Sequence, residues 1–233
     1  MRVLERIEYH DGETPLTGWL ARPVGLVRAA VAVFPTIWNT TPAVEAKARA
    51  LADAGYLALI ADYYGTTPEG REEIFARADD LRADVSQYRR RLHAALNALR
   101  DHAGDMPMAA IGFCMGGQAA LELARDGVPL VVVASFHGLL DTLSPALPGK
   151  ITSRILVCHG DADPLVPRQQ VMAFWEEMDQ AGANWHFHSY SGVQHGFTNF
   201  DAPPGGTGVA YDASADRQSW TALLALLDEE LAE

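Results

Sequence analysis

The 233-residue sequence predicts a doubly wound α/β fold, one mostly parallel sheet with helices on both faces, in a single domain over residues 1–233. Three observations predict it. Short runs rich in Val, Ile and Leu alternate with longer segments of helical periodicity, the pattern of βαβ units. The middle apolar runs are continuous, as strands covered on both faces are. No internal repeat or long linker divides the chain.

Strands are expected at residues 3–9, 16–21, 29–34, 57–61, 108–111, 130–135, 155–158 and 185–189. The first two flank Asp11-Gly12, a turn dipeptide, and pair as an antiparallel edge before the parallel part begins. Helices are expected over 42–54, 74–101, 116–125, 168–181 and 213–231. Thr41 before Pro42 reads as an N-cap followed by proline at the first helical position. Gly55 and Gly182 stand where a helix wants a left-handed C-terminal residue. The short Pro/Gly-rich stretch 202–208 leads straight into the last helix and reads as a surface loop.

Hydrophobic content of 48% and charged content of 21% match ordinary globular usage. A chain this long can bury about 70% of its unfolded surface. No segment approaches the roughly 20 apolar residues of a membrane span. The start, MRVLERIEYHDG, alternates charged and apolar residues where a secretory signal would build a basic and then an apolar block, so a cytoplasmic location is expected. A net charge of −12 argues against nucleic acid as a partner. The local exception, Arg89-Arg90-Arg91, reads as a solvated helix face. Two cysteines, Cys114 and Cys158, exclude a disulfide framework and a four-thiolate metal site.

At residues 109–117, AAIGFCMGG, an apolar strand runs into a G-x-C-x-G-G turn and then a helix. This is the pattern of a nucleophile elbow with Cys in place of Ser. The nucleophile must sit on a strained strand-to-helix turn, and glycines two residues before and after it remove Cβ atoms that would collide. The amides and helix N-terminus that follow favour a thiolate and a developing oxyanion. The plainer alternative is a small buried cysteine behind a tight turn.

Such a nucleophile needs a base, and the base an orienting acid, in elbow hydrolases in the chain order nucleophile, acid, histidine. The strand at 155–158 empties into a loop bearing Asp161 and Asp163, either of which can also cap the helix near Pro167. His195 stands alone in the glycine-framed loop SGVQHGF, whereas His186 and His188 share one face of a strand. Loops at strand ends concentrate catalytic groups, which favours His195. His10, His93 and His102 read as surface or helix-face residues, and His159 as satisfied by a local hydrogen bond. His186-x-His188 lacks a third metal ligand at a recognisable spacing, so no metal is expected. Cys114 and Cys158 end strands separated by one other, about 10 Å at ~4.8 Å per step and beyond disulfide reach, which leaves Cys158 as a core filler.

Taken together, GFCMGG at 112–117, DPLVP at 163–167, QHGF at 194–197 and YDA at 211–213 resemble the dienelactone hydrolase family over nearly the whole length. The resemblance implies an α/β-hydrolase fold, a triad of Cys114, Asp163 and His195, and cleavage of a small-molecule ester or lactone through a thioester, with no cofactor. It selects Asp163 as the acid just before x-x-Val-Pro. It also implies an oxyanion hole made by the N–H groups of Met115 and of Ile37, in the turn PTIW after the third strand. Two positions depart from the family pattern. Thr36 stands where family enzymes carry a Glu that engages the thiol, and Asn199 where they carry an Arg for the substrate carboxylate. The thiol is then expected to rely on His195 and the helix N-terminus, and dienelactone itself is not the expected substrate. Trp38, Tyr63, Tyr64 and Phe197 are read as pocket walls beside Thr36 and Asn199, suiting an apolar or aromatic acyl or alkoxy group. The rival readings are a general carboxylesterase or thioesterase, a family member acting on C–C bonds, and a non-catalytic thiol redox sensor or binding protein on the same fold.

Overall fold

The computed structural model describes residues 3–202 and 206–232. Its elements are β1 (Leu4–Asp11), β2 (Thr14–Ala21), β3 (Ala29–Phe34), α1 (Pro42–Asp53), β4 (Tyr56–Ile60), α2 (Arg71–Ala83), α3 (Val85–Ala103), β5 (Met108–Phe113), α4 (Met115–Asp126), β6 (Val132–Phe136), β7 (Arg154–Gly160), α5 (Arg168–Ala181), β8 (Asn184–Tyr190) and α6 (Ala213–Glu230). The strands form one sheet in the order β1-β2-β4-β3-β5-β6-β7-β8. From β4 to β8 every pairing is parallel. The hairpin of β1 and β2 adds an antiparallel edge. Asp11 pairs with Thr14 across a two-residue turn whose Gly12 has φ 59°, the left-handed backbone such turns require.

Alternate residues of the inner strands feed two cores. Ala30, Ala32 and Phe34 of β3 pack in the layer of α2, α3, α4 and α5. Ala29, Val31 and Val33 pack in the layer of α1 and α6. This two-sided burial is why the middle strands read as unbroken apolar runs, each fully buried Val, Ile or Leu adding about 1.5–3 kcal/mol. The Thr41 hydroxyl accepts the Val44 N–H (3.4 Å) with Pro42 opening α1. Gly182 closes α5 in a left-handed conformation, φ 68°. Of the expected loop at 202–208, residues 203–205 lie outside the described residues. Among the described residues no helix is long and apolar enough to cross a membrane.

Two expectations are corrected. The single helix over 74–101 is two helices, broken at Asp84, which has φ −106° and ψ 90°. The Asp84 carboxylate accepts the Gln87 N–H (3.0 Å) and caps α3. With no glycine or proline in that window, the periodicity alone did not reveal the break. Nor is Arg89-Arg90-Arg91 a solvated face. Arg91 is buried with its Nε donating to Asp11 (2.9 Å), and Arg89 reaches buried Glu122 (2.9 Å). Only Arg90 is largely exposed. The carboxylates that draw these cations inward come from β1 and α4, distant in sequence, and losing one partner of such a buried pair would strand the other charge.

Candidate active site

β5 passes into α4 through one residue, Cys114, with φ 58° and ψ −120°. Non-glycine residues rarely adopt such a backbone, and the packing must hold it there. A Cβ on Gly112 would overlap the Gly116 carbonyl oxygen, and one on Gly116 would overlap the carbonyl oxygen of Phe34 in β3. The glycines therefore serve close approach: α4 starts almost in contact with two strands, and its N-terminus is aimed into a cavity at their C-terminal ends, where parallel sheets place ligands.

That cavity has a volume of about 560 Å³ and contains Cys114 and His195 in its lining. His195, 4% exposed, follows β8, and its Nδ1 lies 2.7 Å from Oδ2 of Asp163, itself 4% exposed on the loop after β7. The other Asp163 oxygen accepts the Leu165 N–H (2.8 Å). Asp161 turns away and makes a two-pronged ion pair with Arg168 at the start of α5 (3.0 and 2.7 Å). Of the two carboxylates, Asp163 stands with the histidine.

Burial alone would raise the Cys114 thiol, but the hydrogen bond and charge of His195, and then the N–H groups of Met115 and Ile37, outweigh it and lower the thiol below its ordinary value. For His195, burial disfavours the charged ring, while the hydrogen bond to Asp163 and then the hydrogen bond and charge of Cys114 raise it to about 10. Both shifts favour a thiolate–imidazolium pair at neutral pH. His195 Nε2 meets no protein partner with ordinary hydrogen-bond geometry. The hydrogen bond and charge of Cys114 that help raise His195 mark the two as neighbours.

The Ile37 amide lies in a turn tied from several directions. Asn39 N–H donates to Thr36 O (2.9 Å), and the Asn39 side chain donates to buried Asp62 (2.8 Å). Tyr64 Oη donates to the Ile37 carbonyl (2.9 Å). The Thr36 hydroxyl accepts the Trp38 N–H (3.2 Å).

Of the residues expected at the pocket, Thr36, Trp38 and Asn199 line the cavity, as do Ile37 and Met115, whose N–H groups were expected to form the oxyanion hole. Three other expected wall residues lie elsewhere. Tyr63 is buried in the core with its hydroxyl donating to Pro35 O (3.1 Å), Phe197 is buried edge-on to the ring of His137, and Tyr64 braces the Ile37 turn from behind. Aromatic identity suits a core as well as a pocket, so type alone could not separate them. His159 is corrected too: it is buried against Phe187, and neither ring nitrogen has a protein partner. Cys158 is buried, and its thiol is pushed up to about 12 by burial. With β6 between β5 and β7, both cysteines are free.

The sequence reading missed two contributors. Arg71, Phe75, Asp79 and Arg82 line the cavity from one face of α2, a helical spacing that was legible once α2 was recognised as separate. His137, 2% exposed and just past β6, also lines it. A histidine following a central parallel strand was the available signal. Among the described residues no group of three metal-ligating side chains assembles.

Residues 16–231 match the sequence model of the dienelactone hydrolase family. A protein of Bradyrhizobium sp. named as a probable 2-oxo-3-(5-oxofuran-2-ylidene)propanoate lactonase is 32% identical over 203 residues, 80% of each chain. Among solved structures, one called m3DLH has a TM-score of 0.89 at 37% identity, covering 97% of each chain. A dienelactone hydrolase-like promiscuous phosphotriesterase from metagenomic libraries has a TM-score of 0.88 at 35% identity, covering 97% of this chain and 98% of that one.

Proposed function

The chain belongs to the dienelactone hydrolase family, and from that premise we propose that it is a cysteine-dependent hydrolase of small ester or lactone substrates, acting through Cys114, His195 and Asp163. The observation that carries this reading is convergence: a thiol lowered by a raised histidine, a carboxylate 2.7 Å from that histidine, and two backbone N–H groups directed at the sulfur, all at one cavity.

In the proposed reaction the Cys114 thiolate adds to the carbonyl carbon, and the carbonyl electron pair moves onto oxygen, held by the N–H groups of Met115 and Ile37. Collapse breaks the bond to the leaving alkoxide, which takes the proton from His195 Nε2. A thioester and a neutral imidazole remain. Water then gives a proton to Nε2 as its oxygen adds to the thioester carbon, and the second collapse releases the carboxylic acid and regenerates the thiolate. Asp163 holds the ring by Nδ1 throughout and stabilises the imidazolium.

With Thr36 in place of a carboxylate, activation of the thiol falls to His195 and the two amides. With Asn199 in place of an arginine, no bidentate partner for a substrate carboxylate is present at that position. Trp38, Phe75, Leu139, Leu165 and Val209 give the cavity apolar walls, which favours an apolar or aromatic acyl or alkoxy group over dienelactone itself. A second reading is hydrolysis of a neutral phosphotriester at the same thiolate. It draws on the likeness to the metagenomic phosphotriesterase and on the balanced charge of the cavity's polar end, where Arg82 reaches Asp79 (3.7 Å) and Asp141 (3.5 Å).

The test is a burst assay with p-nitrophenyl acetate, a lactone and a neutral phosphotriester on wild type, Cys114→Ala and Cys114→Ser, with mass spectrometry of the protein. Turnover with an acyl adduct on Cys114, both lost in the alanine variant, is expected. Wild-type turnover no greater than that of Cys114→Ala, with no adduct, overturns the catalytic reading in favour of a thiol sensor or binding protein.

A further inference from the structure

β5 and β6 run parallel with Phe113 opposite Phe136 as the last pair of their ladder. One residue further on, both chains leave the strand in the same unusual way: Cys114 has φ 58° and His137 has φ 40°. Two non-glycine residues in the left-handed region at the same level of adjacent strands mark a place where surrounding contacts hold the backbone against its preference.

A hydrogen bond joins these two residues. The Cys114 N–H donates to Nδ1 of His137 (3.1 Å), sharing its proton with the Phe136 carbonyl (3.1 Å). Because Nδ1 accepts, the ring proton sits on Nε2, which donates to Thr198 Oγ1 (2.8 Å). Thr198 is itself buried, so the tautomer is fixed from behind. The Cys114 amide is thereby occupied, which leaves the amides of Met115 and Ile37 to act on the sulfur.

The other contacts of His137 extend the same role. Its ring stands edge-to-face with His195, centroids 5.2 Å apart, and with Phe197, 5.1 Å apart. It therefore touches both members of the thiol–imidazole pair while lining their cavity. Burial, and then the charge of His195, hold His137 well below its ordinary value, so it stays neutral beside the imidazolium and keeps its acceptor.

We propose that His137 is a positioning residue that sets the geometry of the nucleophile: Nδ1 holds the Cys114 amide in its left-handed turn, and the ring backs His195, so that sulfur and imidazole stay opposed. Thr198 belongs to the same device, since it fixes which ring nitrogen accepts. This rests on the cysteine-hydrolase reading for its turnover measurement only. Alkylation of the thiol reports on the same geometry without any substrate.

The test uses four variants of the full chain: His137→Ala, His137→Gly, His137→Asn and Thr198→Val. Asparagine tolerates positive φ and places Oδ1 near the Nδ1 position, whereas glycine relieves the backbone and offers no acceptor. For each, kcat and KM are measured with p-nitrophenyl acetate, and the rate of iodoacetamide reaction at Cys114 is followed from pH 5 to 10 by mass spectrometry. His137→Gly is expected to lower kcat by about 30-fold with KM within about twofold, since a misplacement on the order of 1 Å can cost ~100-fold. Its alkylation profile moves to higher pH, towards an ordinary thiol. His137→Asn recovers about tenfold of that loss, and Thr198→Val falls between the two, as a loosened outer contact should.

If His137→Ala fails to fold, the comparison of Gly with Asn still decides. Equal rates and equal alkylation profiles in those two variants would overturn the proposal, since the acceptor would then contribute nothing. A wild type that hydrolyses no ester while its alkylation profile still depends on His137 sinks the hydrolase reading and leaves the positioning role standing. Unchanged alkylation in every variant, with wild-type turnover intact, does the reverse.

Discussion

The two walls of the cavity are held in different ways. On one side are strand ends: His137 and His195 are 2% and 4% exposed, His195 is held by buried Asp163, and Cys114 sits on a turn that only glycine neighbours permit. On the other is α2, which buries only Ile74, Ala78 and Leu81. It starts at Gly70 without a side-chain cap and ends at the break at Asp84. The Arg82 hydrogen bond to Gln118 (2.7 Å) is among the few polar ties between α2 and the body of the fold. The contrast points to a division of labour under the proposed function: groups that would break bonds stand where a close-packed interior fixes them, while the face that would meet the rest of a substrate belongs to a lightly anchored helix.

Changes on the first wall should therefore lower kcat, and changes on the second should move KM. Cys114→Ala is expected to cost about 10⁴-fold or more in turnover and to abolish the acyl adduct. Residual turnover within tenfold of wild type would remove the first wall from the chemistry. Next in size, Asp163→Asn should lose roughly 10³–10⁴-fold in kcat. Asp161→Asn, which only opens an exposed ion pair with Arg168, should stay within about threefold. Equal losses would dissolve the distinction between the two carboxylates. Gly116→Ala drives a Cβ into the Phe34 carbonyl and should destabilise the fold by about 3 kcal/mol or more, read as a fall in the urea midpoint.

pH separates the walls as well. In the proposed mechanism, acylation needs Cys114 deprotonated and His195 protonated. The rate should fall at the acid end as pH drops through the lowered thiol value, and at the alkaline end as pH rises through about 10, the value of His195. These limbs belong to the coupled pair. Asp163→Asn removes a contribution that raises His195 and should pull the alkaline limb downward, whereas Phe75→Ala on α2 should move neither. The smallest expected effect is that of Phe75→Ala itself: KM up by about three- to tenfold for aromatic esters, kcat within about twofold and stability within about 0.5 kcal/mol. A kcat loss equal to that of Asp163→Asn would show that α2 shapes the chemistry after all.

Much of the first wall was legible in the sequence because its constraints are local. The glycines of 112–117 announce a turn that admits no Cβ, and the loops carrying Asp163 and His195 follow recognisable apolar strands. The helix boundary at Asp84 was not legible, because its cap hides in a stretch where every residue tolerates a helix. Nor were the fates of Tyr63, Phe197 and Arg91, since burial depends on what arrives from elsewhere: Asp11 for the arginine, Pro35 for the tyrosine.

The βαβ order, the antiparallel edge at Asp11-Gly12 and the tight strand-to-helix turn at Cys114 were readable from the chain alone, because periodicity, turn chemistry and steric exclusion at glycine act over a few residues. The fold was needed to show that Asp163, which the residues alone left open against Asp161 and the resemblance favoured, stands 2.7 Å from His195, that His137 accepts the Cys114 amide, and that α2 lines the cavity. Those outcomes depend on which strand ends the sheet order makes neighbours. Distances of 3 Å between residues 23 or 32 apart in the chain are set by strand register and packing, which no local pattern carries.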